Sequence, residues 1–210
     1  SGLSITKLAE ALPEEMRHRF CGVHFFNPPR YMHLVELIPG RTTDAAVLQG
    51  LEAFLVTTLG KGVVHAKDTP NFIGNRIGVF SILSTMHHTT QFELGFDAVD
   101  ALTGPAIGRP KSATYRTADV VGLDTMAHVI KTMADTLPDD PWHEHFKSPA
   151  WLTALVEQGA LGAKVGAGFY RKAGKEIQVL DLAKQDYRTS EQRTSDEVAA
   201  VLAIKNPAER

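Results

Sequence analysis

The chain of 210 residues is long enough for one domain with a large core, or for one domain and part of another. Hydrophobic residues make up 43% of it and charged residues 22%, which argues against wholesale disorder. The formal net charge of −2 shows no basic excess, so general nucleic-acid binding is not expected.

Cys21 is the only cysteine, which excludes an internal disulfide and a cysteine-based zinc cluster. We therefore expect a reducing compartment, the cytoplasm. No apolar run approaches the ~20 residues that a membrane span needs. The chain opens on Ser-Gly-Leu-Ser-Ile without an initiating Met, and this opening is interpreted as the interior of a longer protein.

The first third of the sequence alternates strand and helix patterns, as in an α/β domain. Asn27-Pro28-Pro29 and Pro39-Gly40 mark two strand ends, because these residues cannot continue a ladder of hydrogen bonds. Thr42 or Thr43 is a candidate N-cap for the longest helix of this region. The expected elements are a helix at 6–12, strands at 19–26 and 33–38, a helix from 42 or 43 to about 59, and a strand at 62–66.

The pattern changes at Thr69-Pro70, where a long helical stretch begins. Almost no strand signal is present between 70 and 160. After about 172 the chain is polar and charged, which favours a linker in which 198–204 could form a last helix. The expected helices are 70–94, 96–102, 112–121, 123–137 and 149–158.

Four polar residues stand in or beside apolar elements: His24, Glu36, Asn75 and Ser1. A buried carboxylate is costly unless it is paired, and a His–Glu pair removes that cost. The Glu would fix the tautomer of the ring and make it a better base, while Asn and Ser could bind a substrate oxygen. From the pattern alone, a satisfied core histidine and a solvent-facing glutamate are the more common roles.

Several sequence motifs resemble those of the 3-hydroxyacyl-CoA dehydrogenase family. The stretches that carry the resemblance are SGLSI, RFCGVHFFNPPRYMHLVELIP, KDTPNFIGNRI, IGRPKSATYRTADVVGLDT and LGAKVGAGFYR, in family order to about residue 172. They are most similar to the long multifunctional bacterial form, in which an enoyl-CoA hydratase domain is joined to the dehydrogenase. The resemblance implies a mostly α fold, with a helical substrate and dimerisation domain preceded by the last strands of a truncated Rossmann-type α/β domain.

The expected domains are an NAD-binding remnant at 1–69, the helical domain at 70–172 and a polar tail or linker at 173–210. The resemblance also implies that the chain self-associates through its helical domain.

The resemblance assigns roles residue by residue. The His of HFFNP is the catalytic base, which is His24, and its partner in the following strand is Glu36. Ser1 would contact substrate and cofactor, and Asn75 of the F-I-x-N-R motif would hold the substrate oxygen. The implied cofactor contacts beyond Ser1 are Asn27 and Lys164. The implied reaction is the NAD-dependent oxidation of 3-hydroxyacyl-CoA to 3-ketoacyl-CoA in fatty acid β-oxidation.

One family feature is missing from the sequence. The G-x-G-x-x-G turn that seats a pyrophosphate at a helix N-terminus does not occur, and neither does the acidic residue for the adenosine ribose. The 210-residue chain is therefore expected to bind NAD weakly and to turn over no substrate, whereas the complete parent should do both.

Three further signals are interpreted as mainly structural. A metal site is suggested by two histidine-rich segments, His143-Glu144-His145 and His87-His88. However, the side chains of adjacent helical residues diverge by ~100°, so His87 and His88 cannot easily share one ion. The zinc-binding motif HExxH does not occur either, and no metal is expected. Arg109 and Lys111 could meet a CoA phosphate, although a solvated loop is the more common role. Asp119 and Asp124 are interpreted as helix caps.

A second hypothesis stays open: a non-catalytic helical module for dimerisation or docking in a multidomain protein. His24, Glu36, Asn75 and Lys164 favour the enzyme, because a pseudo-enzyme would be free to lose them. A third and weaker hypothesis is that the chain is the helical domain of another Rossmann-linked dehydrogenase. The motifs HFFNP and KDTPNFIGNR argue against it.

Overall fold

The computed structural model describes residues 3–191, 194, 196–204 and 206–209. The chain divides into two compact units. The first comprises the residues up to 79 together with 135–140, and the second comprises 80–134 and the residues from 141 onward. Helices make up most of the regular structure, in accord with the mostly α prediction.

A three-stranded sheet organises the first unit. Its central strand pairs antiparallel with the preceding strand and parallel with the following one. The central strand is buried along most of its length, because Val35, Leu37 and Ile38 are inaccessible to solvent. The elements are α1 (Ile5–Glu10), α2 (Glu14–Arg17), β1 (Cys21–Phe25), β2 (Leu34–Pro39), α3 (Ala45–Thr57) and β3 (Gly62–His65).

The predicted order of strands and helices in this region is confirmed, with a difference at the start of α3. Asp44, not Thr42 or Thr43, occupies the N-cap position. The Thr43 hydroxyl instead donates to the carbonyl of Phe20 at 2.6 Å and accepts from the amide of Gly40 at 2.8 Å. This side chain therefore fastens the turn after β2 to the chain entering β1.

The long helix α4 (Gly74–Gln91) begins four residues later than the sequence predicts. Asn71 and Phe72 have φ angles of 60° and 51°, in the left-handed region, and so cannot belong to a right-handed helix. Phe72 is buried with Ile5, Ile38 and Ala66 in a hydrophobic cluster, which holds this turn in place.

The second unit is built around buried aromatic rings. Phe96, Tyr115 and Phe169 are fully or almost fully buried, and their ring centroids lie 4.4 to 4.8 Å apart in tilted or edge-on contacts. Besides the later part of α4, the helices that lie wholly or mainly in this unit are α5 (Phe96–Thr103), α6 (Tyr115–Val121), α7 (Leu123–Thr136), α8 (Ala150–Glu157) and α9 (Asp196–Leu202).

The segment 173–210, predicted to be a polar tail or linker, is instead largely folded where the structure describes it. An antiparallel sheet is formed by β4 (Tyr170–Ala173), β5 (Glu176–Asp181) and β6 (Asp186–Thr189). Val179 at the centre of β5 is fully buried, and Arg188 of β6 forms an ion pair with the buried Asp97 at 2.6 Å. The sequence did not predict these strands, because their apolar alternation is short and many charged residues surround it.

Asp100 ties three parts of the second unit together. One carboxylate oxygen accepts from the amides of Thr114 and Tyr115, and the other accepts from the amide of Arg116 and the hydroxyl of Tyr170. Burial raises the pKa of Asp100, although these hydrogen bonds oppose the rise. The carboxylate thus caps α6 and fastens β4 to it.

We expect Asp100→Asn to lower the free energy of unfolding by about 2–4 kcal/mol, because an amide nitrogen would face two buried donors. Tyr170→Phe is the matched variant, since it removes one hydrogen bond and should cost about 1 kcal/mol. Urea unfolding measures both. An Asn variant that lost no more stability than the Phe variant would contradict the proposed capping role of Asp100.

Candidate active site

His24 and Glu36 face each other across the first two strands of the sheet. They are directly opposite in the antiparallel register of β1 and β2, so their side chains lie on the same face. The Nδ1 atom of His24 lies 2.7 Å from the Oε2 atom of Glu36, which confirms the predicted hydrogen bond. Glu36 is 1% exposed, whereas the His24 side chain retains 17% exposure. The ring therefore lies between a buried carboxylate and accessible space.

The second oxygen of Glu36 holds the start of α4. Oε1 accepts from the amides of Ile73 and Gly74 at 2.9 and 2.7 Å. The two preceding left-handed residues turn these adjacent N–H groups toward one point, which creates an anion-binding concavity. The partial positive charge at the N-terminus of an 18-residue helix further stabilises the carboxylate.

Three hydrogen bonds explain how the carboxylate of Glu36 tolerates burial. Without partners, an ionised carboxylate would be strongly disfavoured in the interior. A second His–Glu pair, His65 with Glu52, provides a contrast in the same unit. Its atoms are 2.9 Å apart, but the two side chains are 52% and 41% exposed. Such an exposed pair contributes little to stability and leaves the ring in water.

The contact with Glu36 determines which nitrogen of His24 can react. An ionised carboxylate only accepts hydrogen bonds, so the proton of the neutral ring belongs on Nδ1. Nε2 then carries a lone pair and can take a proton from a substrate. The arrangement is that of a general base held in one tautomer by a buried acid.

Aromatic rings fix the position of the His24 imidazole. Phe26 and Phe72 contact it edge-on, with centroids at 4.8 and 5.6 Å. Phe26 also lies against Gly74, where an added Cβ atom would clash with the tip of the ring. The absence of a side chain at Gly74 therefore allows the Phe26 ring to pack directly against the start of α4.

The other residues predicted for the site have different positions. Asn75 is partly buried in the first turn of α4, next to Gly74 whose amide binds Glu36. Asn27 is exposed and follows β1 by two residues. Ser1 lies outside the described residues.

Lys164 belongs to the second unit, where it forms an ion pair. Its ammonium donates to both carboxylate oxygens of Asp124 at 2.6 Å. This hydrogen bond from Lys164 is the main reason that the pKa of Asp124 is lowered. The structure thus assigns Lys164 a partner at the start of α7, and its predicted contact with a cofactor stays a prediction.

The residues interpreted as structural mostly have structural partners. Asp119 accepts from the amides of Phe169 and Tyr170 at 2.9 Å each, and so it holds β4 rather than capping the next helix. Burial raises the pKa of Asp119 to about 6. Arg109 donates to the Ser81 hydroxyl at 2.7 Å. These contacts account for Asp119 and Arg109 without a ligand.

The histidine-rich segments of the second unit come together only in part. The rings of His87 and His145 lie 5.9 Å apart, beside a cleft of about 580 Å³. Among the residues that the structure describes, no three His, Cys, Asp or Glu side chains are placed to share a metal ion. In the same ranges, no helix has the length and apolar character of a membrane span.

Sequence reasoning missed Asp68 and the backbone amides of Ile73 and Gly74. Asp68 accepts hydrogen bonds from the first residues of α1. The amides carry no side-chain signal in the sequence. For Asp68, the only signal in the sequence is its position directly before the motif TPNFIGNR.

Two family models match most of the chain. Residues 1–69 match the NAD binding domain of 3-hydroxyacyl-CoA dehydrogenase, and residues 72–172 match its C-terminal domain. The chain belongs to the 3-hydroxyacyl-CoA dehydrogenase family. The first match includes β1 and β2, which carry the His24–Glu36 pair, and the second includes the start of α4 with Asn75.

Relatives of this dehydrogenase family show the extent of the similarity. A probable 3-hydroxyacyl-CoA dehydrogenase of Bacillus subtilis is 45% identical over 98% of the chain, which spans 26% of that protein. A 3-hydroxybutyryl-CoA dehydrogenase of Mycobacterium tuberculosis is 36% identical over 81% of the chain and 57% of its own length. The solved structure of (S)-3-hydroxybutyryl-CoA dehydrogenase from Ralstonia eutropha matches with a TM-score of 0.71 and 32% identity, over 82% of the chain and 58% of that structure. The chain thus spans between about a quarter and somewhat over half of these relatives.

We expect Gly74→Ala to destabilise the protein by about 1–3 kcal/mol, because the new methyl group must displace Phe26. Gly78→Ala is the matched control on the same helix, where a Cβ atom meets nothing within 4 Å. That variant should gain about 0.5–1 kcal/mol from helix propensity. Thermal unfolding of both tests the close approach, and equal shifts in the same direction would argue against it.

Proposed function

We propose that the protein containing this chain is an NAD-dependent 3-hydroxyacyl-CoA dehydrogenase, which oxidises 3-hydroxyacyl-CoA to 3-ketoacyl-CoA in fatty acid β-oxidation. One observation carries the proposal: a buried carboxylate holds Nδ1 of His24 and the start of α4 at once. Membership of the 3-hydroxyacyl-CoA dehydrogenase family supplies the reaction that suits this arrangement.

In this mechanism His24 is the general base. Nε2 removes the proton of the 3-hydroxyl group, and the buried carboxylate of Glu36 stabilises the imidazolium that forms. Asn75 and Ser1 hold the oxygen as negative charge develops on it. General base catalysis of this kind contributes about 10²–10⁴-fold to a rate.

NAD, when bound, supplies the acceptor for the hydride from the 3-carbon. The exposed amide of Asn27 beside β1 fits a contact with the polar nicotinamide end, and Ser1 and Lys164 are proposed as further contacts. The sequence contains no G-x-G-x-x-G turn for the pyrophosphate. We therefore assign β1, β2 and β3 to the last strands of a Rossmann-type NAD-binding domain, a proposal supported by the family match over residues 1–69.

His24→Ala in the complete protein should lower kcat by about 10²–10⁴-fold, because the reaction would lose its base. His65→Ala is the matched control, since His65 also pairs with a glutamate but on the surface. The measurement is NADH absorbance with a 3-hydroxyacyl-CoA substrate. A His24 variant that retained the activity of the His65 variant would contradict the proposed role.

We also propose that the protein self-associates through its second unit, which contains most of the helices. Val120 on α6 is 74% exposed, and together with Ile177 it lines an open cleft of about 320 Å³. An apolar surface of this kind favours contact with another molecule.

Light scattering of the chain should therefore give a mass near twice its 22.9 kDa. Val120→Lys should shift this mass toward that of a monomer, because the charge would have to be buried in the contact. Val201→Lys, at a 42% exposed position on α9, should leave it unchanged. A monomeric chain at high concentration would contradict the proposal.

A further inference from the structure

Phe72 contacts the proposed general base and belongs to the turn that binds the partner of that base. Its ring lies edge-on to the His24 imidazole, with centroids 5.6 Å apart and an interplanar angle of 60°. This geometry is one that aromatic pairs prefer. The Phe72 side chain is buried, and the backbone amides of the next two residues bind Glu36. One short stretch of chain therefore reaches both members of the His24–Glu36 pair.

A second phenyl ring beside the imidazole depends on the same turn. Phe26 contacts His24 at a centroid distance of 4.8 Å and an interplanar angle of 61°. The Phe26 ring packs against Gly74, where a Cβ atom would clash with it. Phe72 belongs to the turn 71–74, and Phe26 rests on it. In the described part of the chain, both phenyl rings that contact His24 are therefore placed by this turn.

The hydrogen bond to Glu36 does not by itself fix the whole imidazole. It holds Nδ1 of His24 at 2.7 Å from the carboxylate, but the ring could still turn about this contact and thereby displace Nε2. Packing against neighbouring side chains removes that freedom. Nε2 must meet the proton of a hydroxyl group that Asn75 holds in the proposed mechanism. A misplacement of 1 Å in such an arrangement can lower a rate by about 10²-fold.

We propose that Phe72 is a positioning residue for His24, whose ring keeps Nε2 directed at the substrate oxygen. The backbone conformation supports this role. A φ angle of 51° is unfavourable for a bulky aromatic residue, whereas glycine adopts it freely. Strain of this kind is often retained where function requires it. The inference rests on the proposed function, because it concerns the base assigned to His24.

Phe72 also has a structural role, which the test must separate from positioning. The same ring is buried in the hydrophobic cluster with Ile5, Ile38 and Ala66. A substitution at Phe72 will therefore lower stability whether or not the ring positions the base. Positioning differs from this role in one respect: its effect on the rate requires the imidazole of His24 to be present.

The test is a double-mutant cycle in the complete protein with Phe72→Leu and His24→Ala. Leucine keeps an apolar side chain in the cluster but has no ring to contact the imidazole. Phe72→Leu alone should lower kcat by about tenfold or more, and the KM for NAD should change less. In the His24→Ala background the same substitution should leave the residual rate unchanged, because Phe72 acts through His24.

Phe146→Leu is the matched control, since Phe146 is 3% exposed and lies in the second unit. It should lower the unfolding temperature about as much as Phe72→Leu does and leave kcat unchanged. Phe72→Gly separates the ring from the backbone, because glycine keeps the left-handed conformation without strain. The turn is then retained and the ring is lost, so kcat should fall again. If the glycine variant does not fold, Phe72→Leu alone carries the test.

An equal loss of rate in both backgrounds would overturn the proposal, because a purely structural role of Phe72 acts independently of His24. Full activity of Phe72→Leu, or of a folded Phe72→Gly, would overturn it as well. A failure of the proposed function is distinguishable, since His24→Ala would then keep its rate. If His24→Ala loses its rate and Phe72→Leu has the same effect in both backgrounds, only the role of Phe72 is wrong.

Discussion

The buried carboxylate of Glu36 is the interaction on which the candidate site depends. One oxygen binds Nδ1 of His24 and the other binds the first amides of α4. Removing either partner would leave one oxygen of the buried carboxylate without a hydrogen bond, so the strand pair and the helix start stabilise each other. Glu36 therefore determines both the tautomer of His24 and the position of the helix turn that carries Asn75.

The turn between β3 and α4 explains how this arrangement is built. Asn71 and Phe72 adopt left-handed conformations, which are unfavourable for a bulky aromatic residue. Burial of Phe72 against Ile5 and Ile38, together with the two hydrogen bonds to Glu36, offsets that cost. The strain is therefore retained at a point where it directs two amides toward one carboxylate.

His24 and Glu36 each interrupt an apolar strand, which suggests a pair, but only the resemblance to the dehydrogenase family made that pair a prediction. Adjacent antiparallel strands place such residues opposite each other. The contact of Glu36 with Ile73 spans 37 positions and involves a backbone amide, which has no residue-type signal. Asp68 was missed for a related reason, since its partners lie 62 to 64 residues away.

The later part of the chain shows a different limit of sequence reasoning. The apolar alternation around Val179 is short and is surrounded by charged residues, so the sheet of β4, β5 and β6 resembles a polar linker in sequence. The charges are partly explained by the structure, in which Arg188 binds the buried Asp97. The ion pair of Lys164 with Asp124 was also not predicted from the sequence, while the cofactor contact that the resemblance implies for Lys164 stays a prediction.

The tautomer of His24 tests the central role of Glu36 most directly. Nitrogen-15 NMR of the imidazole at neutral pH, assigned by the loss of signals in His24→Gln, distinguishes the two ring nitrogens. We expect the proton on Nδ1 and a lone pair on Nε2. In Glu36→Gln the proton should move to Nε2, because the glutamine amide, with its oxygen bound to Ile73 and Gly74, would present a donor to Nδ1. A native ring protonated on Nε2, or a tautomer that Glu36→Gln leaves unchanged, would contradict this account.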